Sequence, residues 1–204
     1  MKHLTGSNEG QREHKAPETH FVRLGLVFYG LLAAAAVVWR TGFYHEPILF
    51  ASDQAAAHGL WLGRDLLLGV AAAAFLIAVS GWMTEKTIWG DHLARAMAEA
   101  LGPLSLPSAI LLAVASGVGE EFFFRGALQP QVGWLFASLL FGCAHFVPRR
   151  AFLPWTAFAV VAGFLFGALF DWTGNLVAPV TAHIVVNAVN LPLLVRRYGA
   201  DPSP

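Results

Sequence analysis

The chain is poor in charge, with 13 Lys and Arg and 13 Asp and Glu among 204 residues, which sum to a net charge of zero. Such a balance offers no basic field to a nucleic acid, and the cations are scattered rather than gathered on one stripe, so nucleic-acid binding is set aside. A single cysteine, Cys143, leaves no intrachain disulfide to form, and no CxxC or Cys/His array marks a structural zinc site. No segment repeats at a fixed period, which excludes a solenoid. The apolar run after Phe21 is expected to remain as a transmembrane helix rather than serve as a signal peptide, because it is long enough to span a bilayer and no obvious cleavage site follows it.

What the chain does have is apolar surface. Hydrophobic residues make up 56% of it and the mean hydropathy is +0.57, values that belong to a membrane protein. Apolar stretches near 21–39, 60–83, 104–128, 131–147, 152–170 and 175–195 predict an all-α, polytopic transmembrane bundle of about six helices. Residues 1–20 are polar and mixed in charge and read as a flexible tail. Residues 21–103 form the N-terminal helices, 104–197 a second helical bundle and 198–204 a C-terminal tail. Within the first part, TEKTIWGDHLARAMAEALG carries Ile88, Leu93, Met97 and Leu101 at helical spacing; it reads equally as an interfacial amphipathic helix or as a connector.

Charge placement orients the bundle, since cytoplasmic loops collect Lys and Arg. With the N-terminus inside, Lys2, Arg12, Lys15, Arg23, Lys86, Arg95, Arg149, Arg150, Arg196 and Arg197 are cytoplasmic, and Arg40 and Arg64 lie opposite. An even number of spans with both termini cytoplasmic follows.

Arg125 fits neither group. The segment SAILLAVASGVGEEFFFRGALQ sets two adjacent carboxylates and an arginine inside an apolar helix, where each charge costs at least about 3 kcal/mol. At about 100° per residue, Arg125 lies about 40° around the helix from Glu121 but about 140° from Glu120, so the ion pair is Glu121 with Arg125. Glu120 is left without a local partner, the condition for a general acid or base in a low-dielectric site. A buried ion pair that only fixes packing would leave this second acid unexplained.

Two later helices add histidines. His145 follows Phe141 by one turn, and His183 and Asn187, four apart, share a face. Each alone is as readily a packing residue, but ionisable groups on three membrane helices are functional candidates together. Counted from outer ends near Pro130, Gln131 and Asn175, Glu120, His145 and His183 lie roughly 15, 21 and 12 Å deep, so tilt or a late-starting helix must bring His145 level. Gly117, Gly119, Gly126, Gly142, Gly163 and Gly167 permit close approach between these helices. Cys143 reads as a small buried hydrophobe, and the seven tryptophans mostly as interfacial anchors.

The run from Glu120 to Arg125, the Phe141 to His145 spacing and the His183 to Asn187 pair resemble the EExxxR, FxxxH and HxxxN motifs of the CPBP intramembrane proteases, the family of the CAAX prenyl endopeptidase Rce1. The resemblance covers roughly residues 104–195. It implies an endopeptidase acting on a membrane-tethered protein or peptide near its C-terminus. Glu120, helped by His145, would activate water; His183 and Asn187 would stabilise the oxyanion; Glu121 and Arg125 would hold the site in shape. No cofactor is favoured. Zinc or another divalent metal on Glu120, His145 and His183 is the alternative, although no HExxH helix supports it. A non-proteolytic binding or immunity protein of this fold would have lost at least one of the motif residues, and a proton-coupled transporter would show inverted repeats. The expected setting is a bacterial cytoplasmic membrane, with the oligomeric state left open.

Overall fold

The computed structural model describes residues 6–198, with side chains from residue 18 onward. Eight α-helices account for most of it: α1 (Gly6–Val37), α2 (Asp53–His58), α3 (Leu62–Lys86), α4 (Ile88–Leu101), α5 (Leu106–Glu121), α6 (Gln129–Ala144), α7 (Leu153–Thr173) and α8 (Val177–Tyr198). π-helical turns extend α1 over Val38–Phe43 and join α5 to α6 over Phe122–Leu128. Among the described residues no strand forms beyond an isolated bridge between Phe50 and Asn175. The bundle is all-α, as its composition predicts.

Among the described residues, five segments are long and apolar enough to cross a membrane: Glu18–Phe43, Leu62–Lys86, Leu106–Ala144, Arg150–Thr173 and Val177–Tyr198. The expected third and fourth stretches both fall within Leu106–Ala144, and what divides them is Gly133. Its backbone, at φ 83° and ψ 162°, breaks the helical path inside α6. The stretch after it, residues 134–144, rises only about 16 Å, half of what a bilayer core requires. The polar segment expected as a flexible tail is helical backbone from Gly6 onward, because extending a helix nucleated by an apolar span orders one residue per bond gained. Residues 1–5 of that tail, and 199–204 of the C-terminal one, lie outside the described residues.

Helix ends follow local chemistry. Thr87 caps α4 by accepting from the Gly90 amide, Ser105 caps α5 with Pro107 in its first turn, and Gly174 closes α7 in the left-handed conformation. Asn175 then starts α8 by accepting from the Val177 amide, while its amide group reaches the buried Asp65 of α3 at 2.8 Å. The segment 87–101 is a helix, not a mere connector. Its buried face is Gly90, Leu93, Ala94 and Ala98, whereas Ile88 is exposed. On its outer side the Arg95 guanidinium beside Asp91 holds that carboxyl below its ordinary range.

The bundle has two distinct ends. Lys86, Arg95, Arg149, Arg150, Arg196 and Arg197 gather at the end that holds α4, where Glu18 of α1 also accepts from the Ser105 amide. Arg40 and Arg64 occupy the other, where Arg40 is buried against Glu46 and the Ala51 carbonyl. Between them an apolar core of Ala73, Leu76, Phe166, Ala178, Ala182 and Val186 joins α3, α7 and α8. Outward faces carry Leu31, Leu67, Phe75 and Phe136, all well exposed, as lipid contact requires. Cys143 is also exposed rather than buried, because it points away from the face that carries Phe141 and Gly142.

Candidate active site

The six motif residues converge from α5, the π-helical turn after it, α6 and α8. Glu120 and Glu121 end α5, Arg125 lies in the π-helical turn, His145 caps α6, and His183 and Asn187 stand one turn apart on α8. Close approach is what lets them meet. A Cβ at Gly117 would fall 2.5 Å from Ile184 Cγ1, one at Gly142 would overlap Val160, and one at Gly163 would fall 2.9 Å from the Ser138 carbonyl oxygen. Small residues thus set the distances between backbones.

Glu121 is fully buried and doubly engaged. Its Oε1 accepts from Arg125 Nη1 at 3.0 Å and takes His183 Nδ1 at 2.8 Å. The other Arg125 amino group donates to the Gly163 carbonyl of α7 at 2.9 Å, and its guanidinium carbon stands 4.3 Å from the centroid of Phe141. The i,i+4 assignment of Glu121 to Arg125 holds, and the arginine ties α5 to α6 and α7 as well.

Glu120 stands apart from that pair. Its Oε2 is buried without a hydrogen bond, and His145 Nε2 faces it at 3.4 Å. His145 Nδ1 lies 2.7 Å from the Phe141 carbonyl oxygen, which can only accept, so Nδ1 carries a hydrogen. In the neutral ring Nε2 is then an acceptor facing a carboxylate acceptor. Two acceptors set opposite each other are reconciled by a shared proton or by a water that donates to both. The depth offset expected for His145 disappears because its helix begins only after Gly133.

Asn187 is held by Ser116, whose hydroxyl accepts its amide at 3.0 Å and itself donates to the Ala113 carbonyl. Ser116 carries no motif signal, yet it lies one turn before Glu120 and on its face of α5. Phe166 was equally unmarked and stacks on His183 with centroids 5.2 Å apart. Trp155 packs edge-on against His145 at 5.1 Å, so it is a site neighbour rather than an interfacial anchor. Trp134 stays exposed and donates to the Phe164 carbonyl.

A cavity of about 580 Å³ opens among the ends of α3, α4 and α8 and the start of α7, lined by Met83, Leu93, Met97, Phe158 and, at its inner limit, Trp155 and Asn187. It runs inward from the cation-rich end of the bundle as far as Asn187 and Trp155, the neighbour of His145. Among the described residues no three His, Cys, Asp or Glu side chains converge as a metal ion would need. His183 directs Nδ1 at Glu121 and so keeps Nε2, on the far side of its ring, free.

Fold and site together define a multi-pass helical membrane protein with a carboxylate and histidine pair buried between its helices. The family model described as "Type II CAAX prenyl endopeptidase Rce1-like" matches residues 102–189, which hold all three motifs. The chain is also 32% identical over 151 residues to the uncharacterized protein YpbD of Bacillus subtilis, an alignment that covers 70% of this chain and 77% of that one. It belongs to the Rce1-like family, which is one of CAAX-type membrane proteases. No solved structure matches.

Proposed function

We propose that this protein is a metal-independent intramembrane endopeptidase that cleaves a membrane-tethered protein near its C-terminus, either at a CAAX-like end or at a sorting signal or anchor. The observation that carries the reading is the isolated Glu120 carboxylate opposite His145 Nε2, two acceptors set to bind one water. That water attacks the peptide carbonyl as Glu120 takes its proton, and the proton passes on to the departing amine. Asn187, oriented by Ser116, offers its second amide hydrogen to the oxyanion. His183 offers Nε2–H; with Nδ1 already donating to Glu121, the ring that does so is an imidazolium. Glu121 then supplies the counter-charge to the imidazolium, and Arg125 holds that carboxylate in place.

The substrate reaches these groups through the cavity beneath α4. By the excess of cations at that end, it faces the cytoplasm of a bacterial cell, with both termini on the same side. Terminal-peptide mass spectrometry of membrane proteins tests the assignment, comparing cells that carry the wild-type chain with cells that carry Glu120→Gln. A new C-terminus made only by the wild type identifies substrate and bond together. If Glu120→Gln yields the same termini at the same rate, the chain is no protease of this kind, and a binding or transport role takes its place.

A further inference from the structure

We propose that Tyr29 of α1 is a positioning residue for the Glu120 carboxylate, so that the working site extends to a helix outside the three motifs and outside residues 102–189. The inference rests on Glu120 being the general base.

Tyr29 is the one side chain with a hydroxyl, amide or charge between Arg23 and Arg40, in the run LGLVFYGLLAAAAVVW. Tyrosines in membrane helices usually sit at the water interface, where the phenol oxygen stays wet. This one does not. It lies 11 residues into the span Glu18–Phe43, at about 17 Å of helical rise, where a phenol needs a partner within the protein. Its neighbours Leu24, Val27, Phe28 and Leu31 are exposed on the outer surface, while Tyr29 is half-buried and turned toward α5. There its hydroxyl comes close enough to the Glu120 side chain to interact with it.

The backbone is arranged to hold it there. A Cβ on Gly119 would come within 2.8 Å of the Tyr29 carbonyl oxygen and 3.0 Å of its Cβ, so only glycine lets α1 lie this close beside Glu120. The carboxylate is thereby bracketed, with the Tyr29 hydroxyl on the α1 side and His145 Nε2 on the α6 side. Glu121, Arg125 and His183 are occupied with one another and leave Glu120 to this pair. A phenol has one hydrogen to give. Donated to the carboxylate, it fixes the plane of that group and leaves Oε2 open toward His145.

The test is Tyr29→Phe in the full chain reconstituted in lipid, which keeps the ring and removes only the hydroxyl. On the substrate defined by the terminal-peptide comparison, kcat should fall about tenfold with KM nearly unchanged, as expected when a catalytic group loses its orientation. The infrared carboxyl band that disappears in Glu120→Gln should shift in Tyr29→Phe, a change that helix packing alone would not cause. A wild-type kcat or an unshifted band overturns the proposal. Active Glu120→Gln would instead overturn the underlying reading, so the two failures are distinguishable.

Discussion

The guanidinium carbon of Arg125 lies 4.3 Å from the centroid of the Phe141 ring, and that same ring packs 4.5 Å from His145 and 5.9 Å from His183. One aromatic side chain therefore touches the cation of the buried ion pair and both histidines. This gives the phenylalanine one turn before His145 a physical reason. A desolvated cation over an aromatic face is worth about 2 kcal/mol. Phe141→Leu should lower stability by about that amount and reduce turnover at least tenfold. Thermal unfolding in detergent alongside the rate measures both, and a variant that unfolds and turns over like the wild type would show that the ring only fills space.

Gly133 is the second point on which the site depends. Its φ of 83° and ψ of 162° fall in a region open to glycine alone, and a Cβ there meets no neighbouring atom. The penalty for Gly133→Ala is thus one of backbone strain, about 1–3 kcal/mol. Relaxing it lets α6 start earlier and moves His145 away from Glu120. Activity should fall more than stability, and activity that survives unchanged would mean that the depth of His145 is set elsewhere.

Much of this was legible in the sequence, and the parts that were not share a cause. Helical spacing assigned Arg125 to Glu121 and singled out Glu120, because an i,i+4 geometry needs no tertiary information. The six glycines near the motif helices were readable for the same reason, since small residues on membrane helices mark close approach. Ser116, Phe166 and Tyr29 were not readable. They carry no charge to pay for in the bilayer, and their roles exist only once α5 meets α8, α7 and α1. The helix break at Gly133 was hidden as well, because glycine is common in membrane helices and its left-handed backbone leaves no mark on hydropathy.

Arg125 should not tolerate replacement by lysine. Its two terminal nitrogens serve different helices, Glu121 on one side and the Gly163 carbonyl on the other, and a lysine ammonium is too compact to reach both. Breaking a buried pair costs about 3–5 kcal/mol. Arg125→Lys should therefore unfold at markedly lower temperature, and Arg125→Met combined with Glu121→Gln should recover part of the loss by removing both buried charges. A double variant less stable than Arg125→Met alone would contradict the pairing.

Prolonged chelation of the purified enzyme should leave its rate unchanged, and elemental analysis should find less than stoichiometric zinc. The reason is that among the described residues no three His, Cys, Asp or Glu side chains converge as a metal would need, and Glu120 meets His145 only as a pair. Loss of activity on chelation with recovery on adding zinc would overturn the metal-independent mechanism.

Asn187 separates binding from catalysis, because it both lines the cavity and donates to Ser116. Were it merely a wall of the cavity, Asn187→Ala would raise KM and spare kcat. As an oxyanion donor it should instead lower kcat by about 10²–10³, the usual effect of deleting one such group. Ser116→Ala sharpens the comparison. It removes the acceptor that aims the amide without touching the cavity lining, so it should lower kcat by a smaller factor in the same direction and leave KM alone. Together the two variants decide whether the α5–α8 contact serves the transition state or only the packing of the bundle.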